Sequence, residues 1–380
     1  MASNEKNAAT VRRVVVKFGT AILTLPNGRL NEPLIAQWAS VLSDLRDEGI
    51  EILVVSSGAI GAGIGEMNLS ERPGNLPDKQ ALAAIGQSLL MAVYGQAFGR
   101  RGYHVAQILL TRGDLDDRRR HLNVRNCLNR LLQMGVIPVI NENDTVAVDE
   151  LTFSDNDNLS SIIASKIQAD LLVIFTDVDG LYERDPRRFP DSPVVPLVKK
   201  ISPAVESMAS QIASARGSGG MMAKVLAAKA ATRAGIPVVI ANGRDPQNLG
   251  RILSGQTAGT RFLPAAGLRL SARDRWIALG AHSRGRRIAV DPGARHALIV
   301  EKKSLLPVGI SAVSGQFEKG DVVEICDTDG RCFAKGLTNY SAEEVERIRG
   351  RQSSEIESVL GEKRYDEVVH RDNLVVLEVQ

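Results

Sequence analysis

The chain has 380 residues, with 47 Lys+Arg against 44 Asp+Glu, 44% apolar and 24% charged residues, and 4% aromatics. Such a length predicts two domains or slightly more, at about 150 residues each. The apolar share supplies a buried core and the charges nearly cancel, which excludes an intrinsically disordered chain and a disulfide-dense miniature scaffold.

From Val11 to about Ser254 short β-branched runs alternate with segments of helical period, predicting βαβ units around a mainly parallel sheet. After the polar stretch 1–10, strands are expected at Val14–Lys17, Glu51–Ser57, Val105–Thr111, Val136–Asn141, Asp170–Asp177 and Pro237–Asn242. Between the first two, Leu34, Trp38, Val41, Leu42 and Leu45 share one helical face, with Pro33 at its start and Gly49 past its end. Further helices fit Lys79–Phe98, Leu122–Met134 and Met221–Ala234, the last two stopped by Gly135 and Gly235. The strands end in polar residues: Lys17, Ser56–Ser57, Asn141–Asp144 and Thr176–Asp177. Open parallel sheets bind ligands outside those carboxyl ends.

Past Thr260 the texture changes. Seven Arg fall between Arg261 and Arg287 with Asp274 the one acid among them, marking a linker over 261–283 between a first domain of 11–260 and a second of 284–380. In the second, short strands of a small barrel are expected at Ala289–Val290, Ala297–Val300, Gly309–Val313, Asp321–Cys326 and Cys332–Leu337. Helices around Glu343–Ile348 and Ser354–Leu360 follow.

No apolar run approaches the length of a membrane span, and 1–10 lacks the form of an export signal, so neither export nor insertion is expected. Cys127, Cys326 and Cys332 are odd in number and widely spaced, which offers no disulfide framework and favours a reducing cytosol. The five His lack metal-ligand spacing, so no protein-built zinc site is expected. His121 reads as part of a solvated helix start with Arg118–Arg120.

Four features bear on chemistry. The glycines at 58, 61, 63 and 65 fail the G-x-G-x-x-G spacing, and their turn suits either close packing or an anion held at a helix N-terminus. A second cluster, Arg216-Gly217-Ser218-Gly219-Gly220, opens a helix carrying Lys224 in its first turn, a fitting approach for phosphate although no G-K-[ST] occurs. Lys17 ends the first strand; alone it reads as solvated, but paired with Lys224 it could offset charge during phosphoryl transfer. The clusters Asn141–Asp144 and Ser154–Asn158 suit turns and helix caps, or the ammonium and carboxylate groups of an amino acid.

These stretches, Val15–Thr20, Ser57–Ile60, Asn141–Asp144, Asp155–Ser160, Thr176-Asp177 with Gly180–Tyr182, and Gly219–Met221, resemble the amino acid kinase family in order and spacing. The residues from about Arg284 resemble a PUA domain. The resemblance implies a three-layer αβα sandwich on a mainly parallel open sheet plus a small C-terminal β-barrel-like module. It implies transfer of the γ-phosphoryl group of ATP to the side-chain carboxylate of L-glutamate, with Mg²⁺ carried mainly on the nucleotide phosphates and no protein metal ligand named. Lys17 and Lys224 would contact the transferred group, with Asp157 holding both ammoniums. Ser57, Asp144 and Asn156 would line the acceptor pocket. Lys17, Thr176, Asp177 and the run Ser218, Gly219, Gly220, Met221, Met222, Ala223 and Lys224 would hold ATP. The run departs from the family's Gly-Thr-Gly-Gly-Met-x-Thr-Lys at Ser218 and Ala223, and Ala223 lacks a hydroxyl for phosphate. Proline as a competing inhibitor, a homo-oligomer and a cytoplasmic location are further expectations of the resemblance. RNA is the partner of PUA domains in RNA-modifying enzymes, but residues 281–380 hold 15 basic and 17 acidic side chains, which disfavours phosphate-driven affinity here. The rival reading is an RNA-binding or regulatory protein whose kinase-like half only senses ligands.

Overall fold

A computed structural model describes residues 11–146, 156–211, 220–264, 277, 285–363 and 365–377. The chain divides into two compact units, Met1–Leu268 and Arg269–Gln380.

The first unit is an open sheet with helices between its strands. In chain order it contains β1 (Arg13–Phe18), α1 (Thr20–Leu23), α2 (Glu32–Asp47), β2 (Glu51–Ser56), α3 (Ala59–Glu66), α4 (Leu76–Gly99), β3 (Val105–Leu110), α5 (Arg112–Asp116) and α6 (Arg118–Gln133). It continues with β4 (Ile137–Glu142), α7 (Asn156–Lys166), β5 (Leu171–Thr176), β6 (Leu197–Val198), α8 (Pro203–Gln211), α9 (Met221–Arg233), β7 (Val238–Asn242), α10 (Gln247–Leu253) and β8 (Thr260–Phe262). Thus β8 crosses residue 260, where the first domain is expected to end.

The strand order is β3-β4-β2-β1-β5-β7-β8-β6, parallel throughout except that β8 runs antiparallel to β7. From β1 the chain moves outward to β2, and from β5 it moves the other way to β7, so the loops after β1 and β5 diverge and leave a crevice at the carboxyl edge. The central strands are buried on both faces, hence the continuous β-branched runs in β1, β2 and β5.

Helix α2 begins where the Asn31 side chain accepts from Leu34 N, has Pro33 in its first turn, and ends before Gly49 at φ +87°. It buries Trp38, whose indole donates to Gly243 O at 2.9 Å and whose ring lies 4.8 and 4.4 Å from Phe18 and Phe175. Helix α4 differs from expectation in one respect. It has 24 residues and an 18-residue window of mean hydropathy 1.3, enough by length and composition to cross a membrane. Leu90, Tyr94 and Phe98 instead bury it in the sheet's core.

In the second unit β9 (Arg287–Val290), β10 (Ile310–Ser314), β11 (Val322–Cys326), β12 (Cys332–Thr338) and β13 (Val369–Val376) form a five-stranded sheet in the order β10-β9-β11-β12-β13. It carries α11 (Pro292–Ile299), α12 (Ala342–Ile348) and α13 (Ile356–Leu360). Ile288, Phe333, Val345, Ile348 and Ile356 belong to its separate core. The segment Ala297–Val300, expected as a strand, lies in the last turn of α11 and its cap, because Asp291 caps that helix from Ala294 N and Pro292 fixes its first turn. The β11–β12 pairing brings Cys326 and Cys332 together as a disulfide, where the spacing offered no support for one and favoured a reducing compartment; Cys127 is free and exposed.

Candidate active site

Lys17 is only 2% exposed on β1, whereas a lysine ending a strand reads in isolation as solvated. It reaches into the sheet because its ammonium forms an ion pair with Asp157 Oδ1, and Asp157 is fully buried in the first turn of α7. The other carboxylate oxygen accepts from Lys224 Nζ at 3.0 Å. Lys224 is 6% exposed and sits in the first turn of α9, which packs against α7. Two ammoniums separated by some two hundred residues of chain therefore meet on one buried carboxylate at the crevice. Placing such charges out of water is costly unless each is paired, and Asp157 pairs both. Cations preorganised in a dry site act strongly on an anion that gains charge during reaction.

Beside them lies a cluster of amides. Asn156 Nδ2 donates to Asn141 Oδ1 at 2.9 Å, Ser57 Oγ at 3.1 Å and Ser56 O at 3.3 Å. Asn141 in turn donates to Gln87 Oε1 at 2.9 Å and accepts from Glu142 N at 2.9 Å. Ser56 Oγ and Tyr94 Oη lie 3.0 Å apart, and burial drives the Tyr94 hydroxyl's pKa upward despite that hydrogen bond. Burial also pushes the Asp144 carboxyl up to about 6, with the Arg72 guanidinium pulling the other way. A carboxylate and amide oxygens next to amide and hydroxyl donors can hold the two ends of a small zwitterion.

On the other side of the crevice Thr176 ends β5 with its hydroxyl donating to Asp177 Oδ1 at 3.2 Å, and Asp177 is exposed. Asn242, at the end of β7, donates to Asp179 at 2.8 Å. Gly220 caps α9, Met221 is buried, and Met222 and Ala223 are half-buried. Ser218 and Gly219, like Asp155, lie outside the described residues.

The glycine turn after β2 allows close packing. Gly58 takes φ +99° to start α3, and a Cβ on Gly63 would stand 2.1 Å from Leu82 O, so α3 and α4 touch through main chain. His121 is buried on α6, not solvated. Gln87 and Tyr94 were not among the expected site residues; α4 also carries Gln80, Ser88 and Gln96, so the sequence does not single them out. Among the described residues there is no group of three His, Cys, Asp or Glu able to hold a metal ion.

Residues 12–242 match the amino acid kinase family, and residues 286–360 match the PUA domain. The chain is 50% identical over 366 residues to the glutamate 5-kinase of Caldanaerobacter subterraneus subsp. tengcongensis, spanning 96% of this chain and 98% of that one. It is 48% identical over 367 residues to that of Geobacter sulfurreducens, spanning 97% and 98%. The corresponding enzyme of Thermoanaerobacter pseudethanolicus is 46% identical over 366 residues, spanning 96% and 98%. With its family match covering the unit that holds the paired lysines, and with relatives near half identity along nearly the whole chain, this protein belongs to the amino acid kinase family.

Proposed function

We propose that the chain transfers the γ-phosphoryl group of ATP to the side-chain carboxylate of L-glutamate, giving L-glutamyl 5-phosphate, the first step of proline synthesis from glutamate. The observation that carries this reading is the meeting of Lys17 and Lys224 on Asp157 beside the amide cluster of Asn156 and Asn141.

A carboxylate nucleophile is already ionised at neutral pH, so no general base is needed, and none is required of His121. The protein's task is alignment of two anions and neutralisation of their repulsion. In this reading Asp157 holds both ammoniums at the position of the transferred group, where they offset its charge. Ser57, Asp144 and Asn156 orient the amino acid, with Asp144 and the Asn156 amide oxygen facing its ammonium. Thr176, Asp177 and the run from Ser218 to Lys224 hold ATP. Mg²⁺ would enter on the nucleotide phosphates, consistent with its reluctance to shed water. Proline would compete for the acceptor pocket, sharing the ammonium and carboxylate of the substrate. The homo-oligomer and the cytoplasmic location complete the proposal, together with domains of 11–260 and 284–380 joined by a linker.

Coupled measurement of ADP release with glutamate, aspartate and N-acetylglutamate, with and without proline, tests it. Glutamate-dependent turnover that proline suppresses is expected. Equal turnover with all three acids, or none with any, would overturn it. Ala223 favours the second reading, a ligand-sensing regulator, and that reading requires ligand binding without ADP release.

A further inference from the structure

The carboxyl end of β2 presents two serines to opposite faces of the sheet. Ser56 has the parity of Ile52 and Val54 and lies, fully buried, on the face packed by Trp38 and Tyr94. Ser57 turns to the other face, where Asn156 opens α7. Lys17 also belongs to that second face, since Val14, Val16 and Phe18 occupy the first.

Tyr94 is 1% exposed and burial keeps its hydroxyl protonated, so that proton needs an acceptor. Among the described residues Ser56 Oγ supplies it at 3.0 Å. Ser56 has a single proton of its own, and it goes to the Ser57 carbonyl at 3.1 Å. Ser57 O is thereby held on the α4 side of the sheet. The peptide joining Ser57 to Gly58 is trans, so its N–H points the other way, toward the face that carries Lys17.

Among the described residues no other hydrogen bond fixes that peptide. The bond from Ser57 N to Phe18 O orients the peptide before it, and the bond from Ala62 N to Gly58 O orients the peptide after it. Both would survive if the plane between them turned over. Gly58 stands at φ +99°, and turning the plane would bring it to negative φ, which glycine adopts about as readily. The Ser56 hydroxyl therefore decides between two orientations that the backbone leaves close in energy.

We propose that Ser56 is a positioning residue for phosphoryl transfer: by holding the Ser57 carbonyl, it aims the Gly58 N–H at the group that Lys17 and Lys224 receive. The proposal rests on the reading of this crevice as a phosphoryl-transfer site. Ser56 itself touches no substrate, being walled off on the far side of the sheet. A donor fixed in advance toward developing charge acts mainly in the transition state, so its loss should appear in kcat and leave ground-state binding nearly unchanged.

The test is Ser56→Ala, assayed by coupled ADP release and by inhibition with tetrafluoroaluminate, a mimic of the phosphoryl group in transfer, in the presence of ADP and glutamate. The kcat is expected to fall about tenfold or more, the scale of one hydrogen bond to a charged group. The KM values for glutamate and ATP should stay within about twofold, and tetrafluoroaluminate inhibition should weaken by about the same factor as kcat. Ser56→Thr keeps the hydroxyl and should return kcat to within about threefold of the parent. A Ser56→Ala kcat within about twofold of the parent, or a fall in kcat with tetrafluoroaluminate inhibition unmoved, overturns the proposal. If Ser56→Ala does not fold, Ser56→Cys, with its weaker donor, carries the same comparison. A parent enzyme with no glutamate-dependent ADP release would instead remove the phosphoryl-transfer reading itself.

Discussion

Asp157→Asn is the most searching perturbation, since it removes one charge and disturbs two lysines. Asparagine keeps the shape and one acceptor oxygen, but turns an NH₂ toward the second ammonium and leaves two buried cations facing each other. Each lost charge-assisted bond is worth about 1.5–3 kcal/mol, and breaking a buried pair by removing one partner costs about 3–5 kcal/mol. Asp157 is fully buried, so solvent screening reduces this little. In a unit of this size each kcal/mol lowers the melting temperature by about 2–4 °C, giving an expected fall of about 6–20 °C. The lysines would also lose their convergence, and kcat is expected to fall about 10²–10³-fold, as when a preorganised charge contact is removed. Differential scanning calorimetry of the full chain resolves the transition of the first unit, and coupled ADP release at saturating substrates gives kcat. A variant melting within about 2 °C of the parent with kcat within about threefold would refute the view that Asp157 organises the lysine pair.

Lys224→Ala should lower kcat by about 10² or more with a smaller effect on the KM for glutamate, measured in the same assay. Raised to about 6, the Asp144 carboxyl must ionise to meet an ammonium, so kcat/KM for glutamate should climb as pH rises through about 6 and level off above it. Asp144→Asn should abolish that dependence. Since the folded state favours the protonated form, this group makes the fold less stable as pH rises from its ordinary value of 3.8 toward about 6. Chemical denaturation of Asp144→Asn across that range should show the slope removed. A Cβ on Gly86 would stand 1.8 Å from Ala59 O, so Gly86→Ala is expected to cost about 3 kcal/mol or more, read as a fall in melting temperature of about 6 °C or more.

The strands were legible because they are buried on both faces and therefore read as unbroken β-branched runs, and α2 because its cap, proline and terminal glycine agree with its periodicity. Helix α7 was obscured by its polar opening: Asn156, Asp157 and Asn158 favour turns locally, yet they are the first turn of a helix held by packing on β1, β2 and α9. The burial of Lys17 was invisible for a related reason, since it depends on a carboxylate 140 positions away. At Ala297–Val300 local β-propensity lost to the helix start that Asp291 and Pro292 impose upstream. The disulfide escaped notice because only the hairpin register makes Cys326 and Cys332 neighbours. The lysines and the acidic clusters could be picked out from the chain. Gln87 could not, because α4 also carries Gln80 and Gln96, and only the fold shows which glutamine faces Asn141.

The main-chain contact of α3 with α4 works as a fixed gauge. No side chain lies at the Gly63 and Gly86 crossing to bend or change rotamer, so the distance from the strand ends to the wall bearing residue 87 has no elastic layer. A longer or shorter acceptor could not be admitted by letting the two helices slide. If the proposed acceptor pocket is bounded by that wall, a different acceptor length would have to be met by exchanging the groups mounted on it.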